Sequence, residues 1–114
     1  MKMKYDGHVL DEEKAINIVE LEGGGGCQSG DLHGWIAILC RTPRSGHFFL
    51  SGRGGAGTRF ARQCEDGAYM YGEKIIPLSE RDAFYWLEAQ QGRQVANAAW
   101  AALPPVRKRK NTRI

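Results

Sequence analysis

Apolar residues in this chain come in short runs closed by glycine or proline until residue 79, where their spacing changes. Trp35-Ile36-Ala37-Ile38-Leu39-Cys40 is a continuous apolar run of strand length. Thr42-Pro43-Arg44-Ser45-Gly46 has turn chemistry, and His47-Phe48-Phe49-Leu50 reads as the next strand, so residues 35–51 predict a β-hairpin. Ser51 to Gly57 reads as a Gly-rich loop, and Thr58 to Arg62 alternates like a half-exposed strand. Glu65-Asp66-Gly67 is a turn, and Ala68–Tyr71 and Lys74–Ile76 are short strand candidates split by Gly72. From Ser79 the period is helical. Ser79 is an N-cap with Asp82 three residues on, Ala83, Trp86 and Leu87 share a face, and Gly92 terminates. Ala96, Ala99, Trp100 and Leu103 continue at helical spacing, but their stripe lies about 180° from the first. Either Gly92 bends the chain or Trp100 faces a different partner from Trp86.

These patterns predict an α+β fold: a small twisted antiparallel sheet over residues 35–76, packed against a C-terminal helix or helices over about 79–103. Leu39, Phe49, Ile75, Ala83, Trp86 and Leu87 are the expected core. At 114 residues the chain is one domain's worth. Residues 1–103 are expected to form that domain, with 104–114 a basic, disordered tail after Pro104-Pro105. Residues 9–22 admit a helix capped by Asp11 or, through Ile16, Ile18 and Val19, a strand; a short helix or turn running into a strand is favoured. Residues 22–34, rich in glycine, read as a mobile loop.

No run approaches the ~18 apolar residues of a membrane-spanning helix, and the polar start has no secretion-signal pattern. Cys27, Cys40 and Cys64 are odd in number and form no CxxC pair, which suits reduced thiols in the cytoplasm. No membrane partner is expected.

Charge is distributed in blocks. Residues 1–31 carry −4, 41–62 carry +5, 63–103 carry −3 and 104–114 carry +5. Two basic blocks between acidic ones suit a polyanion partner. Arg41, Arg44, Arg53, Arg59 and Arg62 accompany Phe48, Phe49 and Phe60, the pairing of phosphate contacts and stacking faces used by sheets that bind single strands. The alternative is that the phenylalanines are core and the arginines a solvated face. Arg107, Lys108, Arg109 and Lys110 would add affinity by counterion release.

Other motifs carry less. Gly52-Arg53-Gly54-Gly55-Ala56-Gly57 matches G-x-G-x-x-G, but Glu65-Asp66-Gly67 arrives too soon for the helix that a dinucleotide site needs, and the phosphate-loop lysine is missing. A flexible β-connection, or a phosphate contact by loop amides and Arg53, remains. Cys27, His33, Cys40 and His47 lack the close pairing of structural zinc ligands, so no metal is expected. A Cys/His nucleophile would take Cys27 or Cys64 with His33 or His47 and Asp31, yet no local signature supports it, and neither catalysis nor a cofactor is expected. Trp100, Val95 and Leu103 are the candidate partner interface, for a second copy in a homodimer or for another protein.

Gly46-His47-Phe48-Phe49-Leu50, then Gly52-x-Gly54-Gly55-x-x-Thr58-x-Phe60, and later Ile75-Ile76-Pro77-Leu78-Ser79, Ala83 and Trp86-Leu87-Glu88 form a pattern. It resembles that of small uncharacterised bacterial proteins found around plasmids, phages and other mobile elements. The resemblance implies a sheet followed by a helix and an accessory role in a mobile element, with no catalytic residue to carry over. The expected function is a non-enzymatic binding protein that contacts nucleic acid or a nucleoprotein. The alternative is a protein-interaction factor that inhibits a host defence complex, in the manner of anti-CRISPR proteins.

Overall fold

The computed structural model describes residues 1–24 and 32–106. The fold is α+β. Among the described residues eight strands come first: β1 (Lys2–Tyr5), β2 (His8–Asp11), β3 (Ile16–Gly23), β4 (Trp35–Arg41), β5 (Phe48–Gly54), β6 (Arg62–Gln63), β7 (Tyr69–Met70) and β8 (Gly72–Leu78). Helices α1 (Glu80–Gln91) and α2 (Arg93–Ala102) follow. The main sheet is antiparallel in the order β3-β4-β5-β8, with β1-β2 and β6-β7 as separate two-stranded ribbons.

Alternation along β4 and β5 divides the protein into three layers. Ala37, Leu39, Phe48 and Leu50 point to one face and meet Ala83 and Leu87 of α1 and Ala96 of α2. Cys40, Phe49 and Ile75 point to the other and meet Leu10 of the N-terminal hairpin. Adjacent phenylalanines Phe48 and Phe49 therefore serve different cores, which is why the unbroken apolar run is needed.

The sheet is larger than the predicted 35–76. Residues 9–22 give a turn, not a helix: the Glu13 N–H donates to Asp11 Oδ1 at 3.0 Å, and β3 begins at Ile16 as the fourth strand. The first residues, unassigned from sequence, form β1 with Lys2 opposite Asp11 and Tyr5 opposite His8. Ser51 to Gly54 belong to β5 and not to a loop. Thr58 to Phe60 are a turn and not a strand, with Phe60 buried beneath them. Pro77 is tolerated because β8 is an edge strand.

Helix α1 starts as its cap predicts, with Ser79 Oγ accepting the Asp82 N–H at 3.0 Å. Gly92 resolves the two-stripe puzzle. Its backbone at φ 94°, ψ 164° lies where essentially only glycine goes, and the chain breaks into two helices there. Arg93 and Glu88 close the corner with a 2.6 Å ion pair. The break turns Trp100 inward: its ring stacks on Phe48 at 5.4 Å and meets Phe84 edge-on, and its Nε1 donates to Glu80 at 3.1 Å.

Candidate functional site

The turn joining β4 to β5 is tightly organised. The Gly46 N–H donates to the Thr42 carbonyl at 3.1 Å, the Thr42 N–H to the His47 carbonyl at 2.9 Å, and the His47 N–H to Thr42 Oγ1 at 2.8 Å. Gly46 takes the positive φ of 72° that such a reversal needs. Thr42 and Ser45 share a further hydroxyl hydrogen bond. This frame presents exposed Arg44 at the rim of a cleft of about 540 Å³ lined also by Lys2, His8, Asp11 and Lys14. Three full positive charges thus face one carboxylate, and Asp11 is already engaged by the Glu13 amide.

The C-terminal segment is fastened to the same turn. A guanidinium nitrogen of Arg41 donates to the Pro104 carbonyl, and Val106 lies against Gly46, close enough that an added Cβ there would meet Val106 Cγ2 at 3.0 Å. Pro104 to Val106 are therefore attached to the body, which moves the expected domain end at residue 103 outward. Arg107, Lys108, Arg109 and Lys110 lie outside the described residues, as does Arg113, and the last described residue, Val106, lies against Gly46 of the turn that carries Arg44.

The remaining predicted contacts separate. Arg41 is 6% exposed and is a strap anchor, not a phosphate contact. Phe48, Phe49 and Phe60 are buried in the cores and offer no stacking face, so the aromatic half of the basic-hairpin expectation is overturned. Arg53 is exposed on the hairpin-side face of the sheet, but it stands opposite Glu73, with Glu22 one strand beyond Ile36. Arg59 is exposed on the turn after β5, and Arg62 reaches Met70 Sδ on the β6-β7 ribbon. Arg59 therefore lies at the other end of the β4-β5 hairpin from Arg44.

The interface residues also separate. Trp100 and Leu103 pack on the core and serve the monomer, leaving Val95 exposed. Trp100 is half-buried, and its remaining surface lines an open cleft with Phe84 and exposed Tyr85.

Cysteine and histidine do not converge. Cys27 and Asp31 lie outside the described residues. Cys40 is fully buried near Asn17 Oδ1, and burial pushes its thiol up to about 12, with Glu12 adding to the effect. A thiol held protonated is neither nucleophile nor ligand. His33 lies against Gly57, whereas His47 sits against His8 and Tyr5. The Cys64 thiol lies against Met70 Sδ. Among the described residues no three His, Cys, Asp or Glu side chains form a metal-sized group, and no helix is long and apolar enough to cross a membrane.

Lys2 and Lys14 are the residues that sequence reasoning missed. They sit in the block of net −4, and block sums conceal two lysines on one wall. For Lys2 the alternation Lys2-Met3-Lys4-Tyr5 was the available signal, since it marks a strand; Lys14, in the turn after β2, had none. No protein-family model, curated protein or solved structure matches this chain.

Proposed function

We propose that this chain is a non-enzymatic binding protein that grips nucleic acid, or the nucleic acid of a nucleoprotein, at its basic end. Arg44, Lys2 and Lys14 form one part of the grip, and Arg107 to Lys110 the other. The observation that carries this reading is the attachment of Val106 beside the Arg44 turn: two basic segments distant in sequence start from one place. Phosphate contacts of this kind give affinity without base specificity. The resemblance to plasmid- and phage-borne proteins supports an accessory role in a bacterial mobile element, acting in the cytoplasm.

The test is fluorescence anisotropy with short labelled single-stranded and duplex oligonucleotides across a salt series. With one phosphate contact for each basic residue of the grip, about seven, affinity should fall roughly 900- to 6000-fold between about 50 and 200 mM salt. Changing Arg107, Lys108, Arg109 and Lys110 to glutamine should flatten that slope, and adding Arg44→Gln should flatten it further. An affinity indifferent to salt, or to all five changes, rejects the proposal.

A second reading, inhibition of a host defence complex through protein contacts, has one observation in its favour. Tyr69, Met70 and Tyr71 are consecutive and exposed, Tyr69 by 58%. On that reading Tyr69→Ser abolishes protection of a plasmid from host interference while the glutamine tail does not.

A further inference from the structure

A second cleft opens at the other end of the β4-β5 hairpin, about 20 Å from the basic end along β4. Its volume is about 300 Å³, and it is lined by His33, Trp35, Thr58, Arg59, Trp86 and Gln90, with Phe60 and Gly57 at its base. That size lies at the lower limit of ligand pockets and suits one ring system with a small substituent.

Three aromatic rings converge there. Trp35 lies 6.2 Å from Trp86 and 6.5 Å from Phe60, both tilted. Glycines create the room. A Cβ at Gly23 would stand 2.5 Å from the Trp35 ring, a Cβ at Gly52 would collide with the Phe60 ring, and one at Gly57 would stand 2.7 Å from His33 Nδ1. The turn above is fixed by Thr58, whose hydroxyl donates to the Gly55 carbonyl at 2.8 Å and accepts the Phe60 N–H at 3.3 Å. The Gly-rich segment thus builds a rigid aromatic wall and not a phosphate cradle.

The rim sets the sign of the ligand. Aromatic walls alone would suit an organic cation. Among the described residues no carboxylate lines the cleft, and Arg59 is exposed there with no ion pair. Gln90 stands on α1, which faces the turn, and a carboxamide can both donate to and accept from the edge of an adenine ring.

We infer that this cleft seats a nucleobase carrying a phosphate, adenine in particular, with the ring against Trp35 and Trp86, its edge at Gln90 and its phosphate at Arg59. The site is separate from the basic end, and the two readings stand or fall independently. The base could be presented by a free nucleotide or by an unpaired position of a strand, and the experiment distinguishes these.

The experiment is a titration of the full chain with AMP, adenosine and ribose 5-phosphate, followed by tryptophan fluorescence. Trp100, stacked on Phe48, supplies a constant background. AMP should quench saturably, adenosine more weakly, and ribose 5-phosphate not at all. Arg59 and Gln90 are exposed, so their replacement leaves the core intact. Arg59→Ala should weaken AMP roughly tenfold or more, the loss expected for a charge-assisted contact, while adenosine changes little. Gln90→Ala should weaken both. The variant with four glutamines in the tail should bind AMP unchanged, which separates failure here from failure at the basic end. In that variant, tighter binding of a pyrimidine strand containing one adenine identifies a strand as the source, and tighter binding of AMP identifies the free nucleotide. Absence of saturable quenching at millimolar AMP, or quenching equal in Arg59→Ala, overturns the inference.

Discussion

Glycine and cysteine each show how one residue's chemistry acquires meaning only from its neighbours. The spacing of Gly52, Gly54 and Gly57 was visible as G-x-G-x-x-G, but the reason for it was not, because the Phe60 ring and His33 lie outside that motif. Cys40 was legible as a buried small hydrophobe at the end of a strand, and the structure adds a consequence for pH. Burial pushes its thiol from an ordinary 9.0 up to about 12. In the unfolded chain the thiol ionises as pH passes 9, while in the folded protein it keeps its proton. Above pH 9 the native state therefore binds more protons than the unfolded state, and stability falls as pH rises through that window. Urea unfolding of the wild type and Cys40→Ala should show a stability gap that is constant below pH 8 and narrows from pH 9 upward. A gap that stays constant to pH 11 would mean that the thiol is solvated.

At the level of elements, strands with continuous apolar runs and the capped helix were readable from local pattern. The N-terminal hairpin was not, because buried Leu10 stands next to an equally apolar but exposed Val9, so no alternation marks the inward face. Thr58 to Phe60 alternate as a strand does, yet tertiary packing of Phe60 over Gly52 requires a turn. The helix break was legible as an ambiguity, and Gly92 decides it. At φ 94°, ψ 164° an alanine is strained by about 1–3 kcal/mol, whereas losing the Ser79 cap costs about 1 kcal/mol. Gly92→Ala should therefore lower the melting temperature more than Ser79→Ala, which itself should shift it by roughly 5 °C. Because α2 carries Trp100 onto Phe48, the first variant should also perturb near-ultraviolet circular dichroism and the second should not. Equal shifts from the two variants would mean that α1 and α2 tolerate a continuous path.

Across the described residues, which span 56 × 34 × 20 Å, the bases of the proposed grip were hidden by the sequence order that separates them. Lys2, Lys14 and Arg44 line one cleft, and Val106 lies against Gly46, because β4 and β5 deliver the turn to the place where Pro104 is strapped. The strap is Arg41, and it is chemically odd: a guanidinium 6% exposed, bonded to the Pro104 carbonyl, with its Nε unpartnered among the described residues. A buried cation without a carboxylate is expensive, so an apolar replacement should cost the fold little. What it should cost is coordination. On the proposed reading, holding Pro104 sends the tail bases out from the turn that carries Arg44, so that both would engage the same stretch of phosphates at high effective concentration. With Arg41→Leu that anchor is lost. A double-mutant cycle between Arg44→Gln and the glutamine tail, read as oligonucleotide affinity, should give a coupling of about 0.5–3 kcal/mol in the wild-type background. In the Arg41→Leu background it should fall below about 0.5 kcal/mol, the level of independent sites. Each basic segment would then still bind phosphate, but no longer as one surface. A coupling unchanged by Arg41→Leu would place the junction elsewhere, with Val106 against Gly46 the remaining contact to break.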